Sequence, residues 1–163
     1  MSPVWPLPQV QCTEQLGRAL ARSCPWSDST ARVLYLCGEL GAGKTTLASA
    51  LLHELGVTEP VRSPSYALIE LYQAGAHPAV HIDLYRLSAP TELQTLGLRD
   101  YLNCQTLLLI EWPERGGSAL PSADLRVELT TQPARSASAR AESDAGQVWL
   151  AAMNPAMMAE VKT

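Results

Sequence analysis

The clearest hydrophobic pattern in the chain lies between residues 33 and 55, where two periodicities follow each other. Residues 33–37 (V-L-Y-L-C) form a short apolar run rich in strand-forming residues, and the run stops at Gly38. After a glycine-rich segment, leucines recur at helical spacing at positions 47, 51, 52 and 55. The pattern predicts a buried strand, a tight loop and a helix, in that order.

The chain before this unit predicts a loose beginning and one helix. Residues 1–10 are rich in proline, so we expect them to be extended and loose. Beyond them, Leu16 and Leu20 share one face of a predicted helix that starts at Thr13, its expected N-cap, and ends before Pro25.

Two strand-like runs follow the 33–55 unit, at residues 66–72 and 80–85, and a short linker between them predicts a hairpin. Alternation in the second run places His81, Asp83 and Tyr85 on its polar face. A solvated strand face would show the same alternation. The pattern alone therefore leaves Asp83 as either a ligand or a surface residue.

A continuous apolar run at residues 106–110 predicts a strand that is buried on both faces. It is preceded by one or two short helices at residues 91–102, and it ends in Glu111. Ligands of parallel sheets bind beyond the carboxyl ends of the strands, so Glu111 is a candidate functional carboxylate. A glutamate here favours polarising a water over direct metal ligation, but the sequence does not separate the two roles.

The C-terminal third is less regular. Residues 125–129 alternate and predict a half-exposed strand. Residues 130–146 are rich in Ser, Ala, Arg and Pro, so we predict a mobile loop. A last strand at residues 147–153 and a weak helical tail at residues 156–161 complete the prediction.

Composition narrows the possible functions. The 163 residues are most simply one domain, 1–163. A net charge of −4 and a pI near 5.3 argue against direct binding of DNA or RNA. The four scattered cysteines (12, 24, 37 and 104) predict free thiols in a reducing compartment. Since there is no signal peptide and no run long enough to span a membrane, we expect a soluble cytoplasmic protein.

The loop of the 33–55 unit fits the phosphate-binding motif G-x-x-x-x-G-K-[ST] at every fixed position, from Gly38 to Thr45. Its glycines allow positive φ, so that successive N–H groups point into one concavity at the start of a helix. Lys44 would contact the β- and γ-phosphates, Thr45 would ligate Mg²⁺, and Thr46 would reach the α-phosphate. The expected nucleotide-binding residues are therefore Gly38, Glu39, Leu40, Gly41, Ala42, Gly43, Lys44, Thr45 and Thr46. An ordinary glycine-rich turn is the alternative.

With this motif, the pattern predicts an α/β fold: a P-loop NTPase-like three-layer sandwich around a mixed, mainly parallel central sheet. The linker at residues 57–66 is polar and contains prolines, which suits a loop that passes over a nucleotide. Pro64 makes Ser63 extended and leaves Ser65 facing whatever the loop covers. Plain turn chemistry explains both serines equally well.

Four segments together resemble one family. G-E-L-G-A-G-K-T-T-L (38–47), S-P-S-Y (63–66), H-I-D-L-Y-R (81–86) and L-I-E-W-P-E-R (109–115) are similar in order and spacing to the bacterial TsaE family, also called YjeE. The P-loop is shared with many proteins, and the last two segments make the resemblance specific. The family usually has Thr at the position of Ser65, and the sequence after Leu129 is less typical of it.

The resemblance implies an ATPase of tRNA N6-threonylcarbamoyladenosine biosynthesis, with ATP and Mg²⁺ as cofactors. It implies a TsaD-TsaB complex as partner. Through that complex the protein would act indirectly on tRNAs that read codons starting with A. No membrane or DNA partner is implied.

Matching positions assign further roles to individual residues. The resemblance makes Lys44, Asp83 and Glu111 the expected catalytic residues: Asp83 would hold the metal, directly or through water, and Glu111 would orient or activate the attacking water. The candidate Mg²⁺ ligands are Thr45, Asp83 and Glu111. It places Trp112 beside the nucleotide and makes residues 63–66, including Ser65, a switch near the γ-phosphate. The division of labour between Asp83 and Glu111 stays open.

No arginine is clearly placed as a catalytic finger in cis. Arg86 is a candidate, with a surface salt bridge as the alternative role. We therefore expect weak ATPase activity that rises with the partner complex. Two other readings remain: a small-molecule kinase, and a non-catalytic module in which ATP orders residues 63–66 to create a partner surface. A GTPase is not favoured, because no N-K-x-D element is present.

Overall fold

The computed structural model describes residues 2–64, 66–102 and 105–160, and for residues 154–156 and 158–160 only the backbone is described. The strands are β1 (Val4–Pro6), β2 (Arg32–Gly38), β3 (Ile69–Ala74), β4 (His77–Asp83), β5 (Leu107–Glu111), β6 (Leu125–Thr130) and β7 (Ser136–Ala141). The α-helices are α1 (Val10–Ser23), α2 (Lys44–Glu54) and α3 (Asp144–Glu160). Short 3₁₀ helices lie at Pro90–Leu96, Leu98–Tyr101, Pro113–Arg115 and Gly117–Ala119.

The strands form one sheet in the order β1-β7-β6-β2-β5-β4-β3. The four central strands, β6, β2, β5 and β4, run parallel, and the three outer strands pair antiparallel to their neighbours. The predicted α/β fold with a mixed sheet is confirmed. Because β2, β4 and β5 are parallel neighbours, their carboxyl ends meet at one edge, where a ligand site is expected.

The sheet has an apolar layer on each face. Helices α1, α2 and α3 cover one face, with side chains such as Leu16, Leu51 and Trp149 fully buried against it. The 3₁₀ helices and their connections cover the other face through residues such as Leu93 and Leu98. All five residues of β5 are buried, which confirms the strand predicted from the continuous apolar run.

The prediction of a loose N-terminus is wrong. Residues 4–6 form β1, which pairs antiparallel with β7, and the Leu7 N–H donates to the Arg135 carbonyl at 2.9 Å. Helix α1 starts at Val10 with Gln9 as N-cap, so Thr13 is not the cap and is instead buried inside the helix. The partner strand lies about 130 residues away in the sequence, and no local pattern could reveal that pairing.

The C-terminal predictions are also wrong in part. Residues 136–141, expected in a mobile loop, form β7, whose Ala137 and Ala139 face the core. Residues 147–153, expected as a strand, belong to α3. Trp149 and Met153, one helical turn apart, are both fully buried. Alanine and serine are poor strand formers, so strand β7 depends on pairing with β6 and β1 rather than on propensity.

The remaining elements agree with the sequence in type and differ in detail. Strands β3 and β4 form the predicted hairpin, shifted by two to three residues from the expected bounds. The segment at residues 91–102 forms two 3₁₀ helices, separated by Gly97 at a φ of 62°. Strand β6 alternates between buried and exposed residues as predicted.

Candidate functional site

The loop between β2 and α2 has the backbone that a phosphate-binding loop requires. Gly38, Gly41 and Gly43 have φ values of 136°, 77° and 106°, which favour glycine strongly. A Cβ at Gly38 would also lie only 2.4 Å from the Leu129 carbonyl oxygen. The first turn of α2 starts directly at Lys44, so its unpaired N–H groups face the loop.

A cleft of about 410 Å³ opens at this loop. It brings together three stretches that lie far apart in the sequence: the glycine loop, the linker before β3, and the carboxyl ends of β4 and β5. Its lining residues are Leu40, Gly41, Gly43, Lys44, Thr45, Thr46, Ser63, Pro64, Asp83, Tyr85, Arg86, Glu111 and Trp112. Ser65 lies outside the described residues.

Lys44 is held by the loop itself. Its Nζ donates to the carbonyl oxygens of Gly38 and Glu39, the latter at 2.8 Å, and lies 4.0 Å from the centroid of the Trp112 ring. Burial lowers the pKa of Lys44, and the carboxylates of Glu111 and Asp83 partly oppose that shift. An anion in the cleft would compete with these two carbonyls for the ammonium group.

Glu111 lies at the carboxyl end of β5 and is 1% exposed. The Thr45 hydroxyl lies 3.1 Å from each of its two carboxylate oxygens. His81 Nε2 lies 2.8 Å from Glu111 Oε1. The carboxylate therefore lies directly against the hydroxyl that the P-loop motif assigns to a metal ion.

Asp83 lies opposite Glu111 in the register of β4 and β5. One of its carboxylate oxygens accepts a hydrogen bond from the Ser63 hydroxyl, and the other accepts the Tyr85 N–H at 2.9 Å. Asp83 thus connects the linker before β3 to the strand edge. The two acids are neighbours, as the sequence predicted, but each has different partners.

Trp112 and Arg86 lie at the wall and the mouth of the cleft. Trp112 has a left-handed backbone with a φ of 57°, and its ring contacts the Tyr85 ring at 5.0 Å between centroids. Arg86 is exposed, with its guanidinium 5.6 Å from the Tyr66 ring centroid. His81 and Asp83 carry the polar side chains that the alternation predicted, but both are buried, at 0% and 8% exposure, so this face of β4 is not a solvated surface.

Two residues that sequence reasoning missed lie beside the loop. Arg135, in the segment expected to be mobile, donates from both terminal nitrogens to the Gly41 carbonyl at 3.3 Å. Thr13 lies behind Gly43 and lines, with Arg135, a second groove of about 430 Å³ along the outside of the loop. No pattern in the sequence marks Arg135. It reaches the loop because the next residue begins β7, and the pairing of that strand with β6 and β1 sets its position.

The Thr45 hydroxyl and the Glu111 carboxylate fit a metal ion that takes its other ligands from phosphate oxygens and water. The described residues contain no group of three or more His, Cys, Asp or Glu side chains that could hold a metal by themselves. A hydroxyl, a carboxylate and an adjoining anion site are what Mg²⁺ uses when nucleotide oxygens and waters complete its octahedral shell. None of the helices in the described ranges is long and apolar enough to cross a bilayer.

Comparison with known proteins finds a family model, named relatives and a solved structure to which the chain is similar. Residues 7–140 match the model of a family described as threonylcarbamoyl adenosine biosynthesis protein TsaE. The Haemophilus influenzae protein named tRNA threonylcarbamoyladenosine biosynthesis protein TsaE is 46% identical over 97 residues, 60% of this chain and 61% of that relative. The Streptomyces coelicolor protein of the same name is 36% identical over 71% of this chain and 76% of its own length. The crystal structure of YdiB from Bacillus subtilis superposes with a TM-score of 0.78 at 25% identity, over 95% of each chain.

Proposed function

Because this chain belongs to the TsaE family of threonylcarbamoyl adenosine biosynthesis proteins, we propose that it binds and hydrolyses ATP in the formation of N6-threonylcarbamoyladenosine in tRNA. One observation carries the ATPase part of the proposal. The Glu111 carboxylate lies 3.1 Å from the Thr45 hydroxyl, at the head of the P-loop helix and beside Lys44. This arrangement supports a site for a nucleotide with a divalent cation.

The proposed chemistry is in-line displacement at the γ-phosphorus by water. When bound, ATP with Mg²⁺ supplies the transferable phosphoryl group and neutralises much of its charge. The loop N–H groups bind the phosphates, and Lys44 exchanges its contacts with Gly38 and Glu39 for phosphate oxygens.

The contacts support different roles for the two acids. We assign Glu111 to the metal together with Thr45, because both of its oxygens lie within hydrogen-bond distance of that hydroxyl. Asp83, which is bonded to Ser63 and to the Tyr85 N–H, is assigned to waters of the same metal and to the linker. The linker would thereby respond to the state of the nucleotide.

The groove outside the loop is the proposed place for the nucleoside. It shares Gly41, Gly43 and Thr46 with the P-loop region, and its lining also includes the apolar Leu7 and Val10 and the basic Arg135. Trp112 would then line the phosphate side of the cleft rather than stack on the base. Arg135 already contacts the loop carbonyls, so it also fixes the position of the loop.

Partners complete the proposal. A TsaD-TsaB complex would supply the tRNA, in the cytoplasm, with tRNAs that read codons starting with A as the indirect target. The net charge of −4 supports an indirect contact, since the chain has no basic surface excess. Arg86 lines the cleft but is exposed, so it is not held in place as a catalytic arginine. Turnover by the isolated protein should therefore be slow and should rise with the partner complex.

The test uses Lys44→Ala and Glu111→Gln, with Glu114→Gln as the control because Glu114 is an exposed acid three residues further along. Binding of a fluorescent ATP analogue is measured with and without Mg²⁺, and phosphate release with and without TsaD-TsaB. Lys44→Ala should lose binding, and Glu111→Gln should retain Mg²⁺-free binding but lose turnover by about 100-fold or more. Glu114→Gln should behave as wild type.

Three outcomes would contradict the proposal. Turnover that strictly requires a small-molecule acceptor would favour a kinase. Full tRNA modification by Glu111→Gln would favour an ATP-gated binding module without hydrolysis. Equal turnover with and without TsaD-TsaB would remove the partner complex as the activator.

A further inference from the structure

His81 is a buried polar residue to which the proposed chemistry assigns no role so far. It lies on β4, two residues before Asp83, and its side chain is fully buried. Nε2 lies 2.8 Å from Glu111 Oε1. Nδ1 is also buried, and among the described residues it has no hydrogen-bond partner.

These contacts decide which ring nitrogen carries the proton. A carboxylate oxygen accepts hydrogen bonds, so Nε2 must carry hydrogen to bond Glu111. A proton on Nδ1 would leave a buried N–H without an acceptor, which costs about 1–3 kcal/mol. The geometry therefore selects the tautomer with hydrogen on Nε2.

We propose that His81 is a positioning residue that fixes the Glu111 carboxylate for its work with Thr45. The bond to Oε1 prevents rotation of the carboxylate, so that both oxygens stay 3.1 Å from the Thr45 hydroxyl. Groups that orient a metal-binding carboxylate typically contribute about 10- to 100-fold in metal affinity or activity. The inference rests on the proposed ATPase function and names one more residue of that site.

A purely structural histidine would behave differently. It would only fill space in the core. Its replacement would lower stability, and kcat would not fall while Mg²⁺-free nucleotide affinity stayed unchanged. A positioning role predicts a loss that appears only when Mg²⁺ and turnover are involved.

Two amide substitutions separate these roles. The amide nitrogen of His81→Gln can take about the position of Nε2 and can donate to Glu111. The side chain of His81→Asn is one methylene shorter, so its amide nitrogen cannot reach Glu111. We expect His81→Asn to lower kcat about 10-fold or more and to raise the Mg²⁺ concentration for half-maximal rate several-fold. Mg²⁺-free binding of the ATP analogue should stay within about twofold of wild type. His81→Gln should recover most of the rate.

A measurement on the wild-type protein does not depend on the folding of any variant. The chain has three histidines, so ¹⁵N spectra of labelled protein can be assigned residue by residue. His81 should show a protonated Nε2 and an unprotonated Nδ1. An unprotonated Nε2 would overturn the proposal, whatever the variants do.

The outcomes for His81 and for the ATPase proposal are distinct. No ATP turnover by wild type, with or without TsaD-TsaB, would refute the ATPase function itself. A different result would refute only the role of His81. In that case wild type turns over ATP and Glu111→Gln does not, but His81→Asn and His81→Gln are as active as wild type.

Discussion

Replacing Gly17 by alanine should destabilise the protein, although the sequence alone predicts the opposite. A glycine in the middle of a helix normally costs about 1 kcal/mol relative to alanine. Gly17 lies inside α1 and is buried. From the sequence, Gly17→Ala would be expected to stabilise the helix.

The packing of α1 on α2 reverses that expectation. A Cβ at position 17 would lie 2.5 Å from the Leu47 carbonyl oxygen, 3.0 Å from Ala50 Cβ and 3.1 Å from the Leu51 nitrogen. Two of these atoms belong to the backbone of α2 and cannot rotate away. Relief requires the helices to separate by about 1 Å, and such overpacking costs about 1–3 kcal/mol. Because the close atoms are backbone atoms, the cost should lie in the upper part of that range, at about 2–3 kcal/mol. Subtracting the gain of about 1 kcal/mol in helix propensity leaves an expected net loss of about 1–2 kcal/mol.

Urea unfolding followed by circular dichroism measures this loss. For a chain of this size the midpoint should fall by about 0.5–1 M at an unchanged m-value. The control compares glycine with alanine at Gln15, a partly exposed position in the interior of the same helix, where alanine should be the more stable residue. A Gly17→Ala protein as stable as wild type, or more stable, would refute the close contact of α1 with α2.

Two further predictions concern other parts of the fold. Trp149→Phe should cost about 2–4 kcal/mol in urea unfolding, because a fully buried side chain becomes smaller and the Leu20 carbonyl loses the indole donor at 3.0 Å. Val148→Ala, at an exposed neighbour, is the control, and equal losses for the two variants would contradict the buried placement of α3. Burial raises the pKa of Glu142, but hydrogen bonds from Arg126 and Arg140 outweigh it and leave the pKa below its usual value. Its contribution is therefore present above the unfolded pKa of about 4.3 and is lost as the pH falls through the folded value. The stability difference between wild type and Glu142→Gln, below about 1 kcal/mol at pH 7, should shrink towards pH 3. A difference that does not change with pH would contradict the two ion pairs.

Much of the candidate site could be predicted because its signals are local. The spacing from Gly38 to Thr45 encodes a loop whose positive φ values and helix start follow from residue type. The apolar run before Glu111 encodes a buried parallel strand, and that class of strand places its last residue at the ligand edge. The closeness of Asp83 to Glu111 then follows from strand pairing.

The rest of the site could not be predicted, because it depends on partners distant in sequence. His81 looks like one polar residue of an alternating strand, and only the packing of β4 against β5 buries it beside Glu111. Arg135 lies in a segment of weak propensity, and only the pairing of β7 with β6 and β1 brings it to the loop.

The sequence by itself determined the P-loop, the parallel centre of the sheet and the two acids at its edge, because residue type and spacing act over a few neighbouring positions. Only the tertiary structure decided that the N-terminus forms strand β1, that residues 147–153 belong to helix α3, and that Gly17 cannot carry a side chain. These features exist because segments far apart in the chain pair or pack closely. Such long-range contacts override local propensity whenever they bury enough surface.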